Sequence, residues 1–91
     1  MALYDLGRKL AAWERAGIMP GWNPAFWRID CDGRMIFWPD YGDRKSPYGW
    51  EIDHIFPFAV FRWDALPNLR ARHWQGNASA GGLLGALLNE A

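Results

Sequence analysis

One stretch of the chain, Trp50 to Ser79, holds both histidines, His54 and His73, with Asp53 directly before the first and Asn68 and Asn77 downstream. Side chains of these types could hydrolyse a phosphodiester. That reaction needs a base to activate water, positive charge on the phosphate and help for the departing oxygen. An imidazole, with an unperturbed pKa of about 6.5, suits the first task at neutral pH. A carboxylate beside it can hold a divalent cation for the other two. Each residue also has a plainer reading. Asp53-His54 would be a structural hydrogen-bonded pair, and Asn68, after Leu66-Pro67, a turn former. Asn77, before Ala-Ser-Ala, would be a helix N-cap, and His73 a packed histidine.

The elements that must position these groups follow from local pattern. GWEIDHIFPF, residues 49–58, suits a strand that Pro57 interrupts or ends. On an ideal strand Asp53 and His54 point to opposite faces, so one shared site requires the strand to twist or stop there. A second short strand is expected around Leu69–His73. From about Asn77 to Glu90 the Ala- and Leu-rich tail reads as a helix, weakened by Gly81, Gly82 and Gly85. Upstream, Leu3, Leu6, Leu10 and Trp13 recur on one face of an amphipathic helix of about four turns, with Arg8, Lys9 and Arg15 largely off that face. Gly17 ends it. Asp32-Gly33 marks the turn of a hairpin over about Phe26–Trp38, and residues 39–49 are a loop. Residues 58–67, FAVFRWDALP, are unusually apolar for a connector. The predicted class is α+β in a single domain, residues 1–91: a helix-plus-hairpin lead-in to residue 49, then strand, loop, strand and helix.

Composition narrows the function classes. Ten Lys+Arg balance ten Asp+Glu, so no overall cationic charge points to nucleic acid. The local bias is Arg62, Arg70 and Arg72, of which Arg70 and Arg72 are the candidate nucleic-acid contacts. The single cysteine, Cys31, excludes an internal disulfide and the paired CxxC of zinc-stapled domains. Seven Trp residues are expected mostly in the core. Core packing is also the default for Phe56, Phe58, Val60, Phe61 and Trp63. Their surplus over so small an interior predicts a homodimer interface through segment 56–63. No apolar run approaches the ~18–20 residues of a membrane helix, and the mixed charges of the N-terminus do not form a secretory signal. The expectation is a soluble, cytoplasmic protein without a membrane partner.

WEIDHIFP at 50–57, LPNL at 66–69 and HWQGNAS at 73–79 resemble, in order and spacing, the HNH nuclease family. The upstream run from Trp27 to Ile55 resembles the lead-in of small bacterial and phage HNH proteins, so the likeness covers about residues 27–80. It implies a ββα-metal core over residues 50–91 and a metal-dependent endonuclease acting on DNA. One divalent ion is implied, with Mg²⁺ or Mn²⁺ favoured over Zn²⁺. On this resemblance His54 is the general base, and Asp53 and Asn77 are metal ligands in an HNN-type variant. Asn68 pins the loop between the strands and helps orient His54; His73 and Glu51 are accessory. The chain departs from the family where FAVFRWDAL replaces a glycine-rich polar stretch, and where Ala80 stands near the usual Lys or Arg of the helix start. Those departures favour a rival, a degenerate HNH fold that binds nucleic acid or protein without cutting. A further rival is a structural or assembly module in which the Asp-His pair is incidental.

Overall fold

The computed structural model describes residues 3–80. Helix α1 (Leu3–Glu14) is followed by β1 (Trp27–Ile29) and β2 (Met35–Phe37), then β3 (Trp50–His54). A single helical turn, α2 (Phe58–Phe61), and a 3-10 turn at Leu66–Asn68 lead into β4 (Leu69–His73). Residues 74–80 form α3. The expectation of a mixed α+β chain thus holds, with two small antiparallel sheets, β1–β2 and β3–β4. The part of the predicted tail helix beyond residue 80 lies outside the described residues.

The first hairpin closes at the expected place. Asp30 Oδ1 accepts the backbone N–H groups of Asp32 and Arg34, both at 2.9 Å, and Gly33 takes φ +80°, which glycine adopts without steric cost. In the second hairpin Asp53 faces Arg70 and His54 faces Leu69 across the strands. Leu69, Ala71 and His73 on β4 are buried while Arg70 and Arg72 are not, the alternation of a sheet covered on one side. Helix α1 is that cover.

Its buried residues are Lys9, Ala12 and Trp13; Trp13 belongs to the predicted stripe, but Leu3 and Leu10 of that stripe are exposed, and the helix runs about three turns. Small alanines allow α1 to lie close on the sheet, which a row of leucines would hold off. Lys9 is tolerated inside because its Nζ lies over two rings, 4.3 Å from the centroid of Tyr41 and 5.0 Å from that of Trp38. Burial pushes its pKa down. Around it, Trp13, Trp38 and Trp50 meet with centroids 5.1–5.5 Å apart. The core is closed by Ile36, Leu69 and Ala71.

Two other expectations are corrected. Trp22 and Trp63 are exposed, so the tryptophans are not uniformly interior. Phe56, Phe58, Val60, Phe61 and Trp63 also lie on the surface, Phe61 at 58% exposure, rather than in the core. A domain of this size has one small interior, and the three-tryptophan cluster already fills it. Among the described residues no helix is long and apolar enough to cross a membrane.

Candidate active site

β3 ends at His54, which is still paired with Leu69 across the hairpin. A cleft of about 290 Å³ is lined by Asp53, His54, Ile55, Pro57, Phe58, Arg70, Arg72, Asn77 and Ala80. Asp53, His54 and Asn77 thereby reach one concave surface, together with both candidate arginines. His54, at the strand end, also lines a depression on the α1 side with Asp5, Arg8, Lys9, Tyr41 and Ile52.

On the cleft side, Asp53 Oδ2 accepts Arg70 Nε at 2.8 Å and Arg72 Nη1 at 3.4 Å. Arg72 Nε also donates to Asp32 Oδ2 at 2.9 Å, which ties the first hairpin to the second and holds the Asp32 carboxyl below the usual range. The two arginines are therefore present in the cleft but engaged with carboxylates. Asn77 is the fourth helical residue of α3, not its cap. Its Nδ2 donates to Glu51 Oε1 at 2.9 Å. Since a carboxylate only accepts, this contact turns Oδ1 away from Glu51 and leaves it as the amide's donor atom for a cation.

His73 takes the capping role instead. Its Nδ1 accepts the backbone N–H of Gln75 at 3.1 Å, and its Nε2 donates to the Pro47 carbonyl at 2.8 Å. With both ring nitrogens used and only 2% of the residue exposed, His73 is a packed structural histidine. Glu51 is gripped by Arg44 at 2.7 and 2.9 Å, beside its bond from Asn77.

The Arg44 guanidinium first, and the Asn77 amide with it, hold the Glu51 carboxyl below the ordinary glutamate range against the opposing effect of burial. A carboxyl whose folded pKa is depressed contributes stability that is fully present above its unfolded pKa, about 4.3 for Glu, and lost as pH falls through the folded value. Asp32 and Asp64 act with the same sign. The urea midpoint is therefore expected to fall between about pH 5 and about pH 3, and Glu51→Gln should make that fall shallower. A midpoint that is flat over this window would contradict the assignment.

Asn68 is fully buried and uses its whole amide. Oδ1 accepts Phe56 N–H at 2.7 Å, while Nδ2 donates to Phe56 O at 3.0 Å and to Trp63 O at 2.6 Å. It thus clamps both ends of the segment between β3 and β4 without touching His54.

What His54 does touch escaped the sequence reading. Its Nε2 lies 2.7 Å from Asp64 Oδ1, and Arg8 grips the same carboxylate through Nη1 and Nη2, each at 2.9 Å. Arg8 foremost, and His54 after it, hold the Asp64 carboxyl below its usual range. The Phe58 ring packs beside the imidazole, tilted by 34° with centroids 5.2 Å apart. Ten residues separate His54 from Asp64 and 56 separate Arg8 from Asp64, so no local spacing signals the group.

Compared with family models, curated proteins and solved structures, the chain matches none.

Proposed function

We propose that this chain is a divalent-metal-dependent endonuclease of the HNH kind, hydrolysing DNA phosphodiester bonds, in which β3, β4 and α3 act as a ββα-metal unit. The observation that carries the reading is the single cleft lined by Asp53, His54 and Asn77 with Arg70 and Arg72. In this reading His54 takes the proton of the attacking water. Arg70 and Arg72, on β4, line the same cleft as Ala80 and would supply the phosphate contact that the missing helix cation leaves open, once released from Asp53.

The oxygen donors of Asp53 and Asn77 fit a hard ion such as Mg²⁺ or Mn²⁺ better than Zn²⁺. Asp53 Oδ2 already holds two arginines, so Asp53 Oδ1 and Asn77 Oδ1 would be the ligating atoms. A bound ion would neutralise the scissile phosphate and stabilise the leaving oxygen. Purified protein is expected to nick supercoiled plasmid in Mg²⁺ or Mn²⁺ and to lose the activity in EDTA. Cleavage that is absent in every divalent ion would overturn the reading.

A second reading has its own observation. The ion pairs of Asp53 with Arg70 and Arg72 satisfy that carboxylate without any metal, as a non-cutting nucleic-acid-binding module would require. DNA binding that weakens steeply with salt, with no cleavage, would select it.

A further inference from the structure

We propose that Asp64 is the positioning residue of His54, itself held in one orientation by Arg8, and that segment 55–66 exists to deliver it; this rests on His54 being the general base. The geometry comes from three sides. A carboxylate can only accept, so the 2.7 Å contact puts the ring proton on His54 Nε2 and leaves the lone pair on Nδ1 for a water proton. The two-pronged grip of Arg8 removes the freedom of the Asp64 side chain, and Arg8 Nη1 also reaches the Asp64 carbonyl at 3.2 Å. Asn68 holds the backbone on either side, through Phe56 two residues after His54 and Trp63 one residue before Asp64.

The arrangement explains otherwise odd features of the connector. The Phe58 ring packs at a tilt against the imidazole, and Arg62 lies over the Phe58 ring at 5.5 Å from its centroid. Arg62 ends α2 in the left-handed region, at φ +55°, which turns the chain back toward Asn68. The connector is thus a brace whose one carboxylate meets the one histidine of the cleft. As the imidazole gains a proton during turnover, the carboxylate at 2.7 Å would stabilise the cation that forms.

Asp64→Ala gives the test, because it removes the acceptor that Nε2 faces and leaves His54 itself in place. At about pH 8, metal-free native protein should show a downfield, exchange-protected Nε2–H proton at His54, as a donor held by a carboxylate at 2.7 Å would, and Asp64→Ala should lose it. Plasmid cleavage by Asp64→Ala should lose at least about 100-fold in kcat with KM nearly unchanged, and Asp64→Glu should recover part of it. A protected Nε2–H proton that persists in Asp64→Ala overturns the proposal, as does its loss with undiminished kcat. Should the native chain cut no DNA in any metal, the nuclease reading falls, while loss of that proton in Asp64→Ala would still establish Asp64 as the residue that orients His54.

Discussion

Replacing His54 by alanine is expected to lower metal-dependent plasmid cleavage roughly 100- to 10,000-fold while leaving the fold in place. The loss should fall on kcat, because the imidazole is needed when the water proton leaves and contributes little to holding DNA. Stability should change little, by less than about 1 kcal/mol, since His54 is partly exposed at the end of β3 and its hydrogen-bond partner Asp64 keeps Arg8. Urea unfolding and circular dichroism would verify that the variant is folded. Cleavage undiminished in folded His54→Ala protein would remove the histidine from the mechanism.

The second large effect is expected at Asn68. Alanine there strands the N–H and C=O of Phe56 and the C=O of Trp63, all bonded by one side chain that is wholly buried. A polar group left unpaired costs about 1–3 kcal/mol where water is excluded. Phe56 and Trp63 are exposed residues, so water and relaxation of the segment offset part of that cost. A loss of about 2–3 kcal/mol is expected, a large share of the ~5–15 kcal/mol that stabilises an ordinary domain. Hydrogen exchange locates the damage. The Phe56 amide, which donates to Asn68, should lose protection well before the Ala71 amide in the centre of β4. At low temperature, where the variant stays folded, cleavage should still drop, since Asp64 and Phe58 ride on the freed segment. Equal protection at Phe56 in native and variant protein would contradict the clamp.

Both effects meet in residues 55–66, where local pattern and tertiary structure part company. Alternation and turn chemistry were sufficient for the hairpins. Asp32-Gly33 sits in the first turn with Gly33 at positive φ, and β4 runs over Leu69–His73 as its pattern suggests. Those are short-range effects, set by backbone sterics and by side chains two positions apart. The face of α1 was not legible in the same way. Helical spacing marks Leu3, Leu6, Leu10 and Trp13 as the apolar face, and of these only Trp13 is buried. The choice of Lys9 and Ala12 beside Trp13 depended on how closely β4 and the tryptophan cluster must approach.

The candidate site divides along the same line. Residue type marked Asp53 and His54 before any fold was known, as a carboxylate beside an imidazole, and the resemblance to HNH nucleases added Asn68 and Asn77. Tertiary structure alone made Asp53, His54 and Asn77 line one cleft, with α3 starting at Trp74 rather than Asn77. It also assigned the N-cap to His73, paired Asp53 with two arginines, and set Asp64 and Arg8 against His54. Such pairings join residues far apart in the chain. Their energies depend on distances that exist only after packing, so no local pattern encodes them.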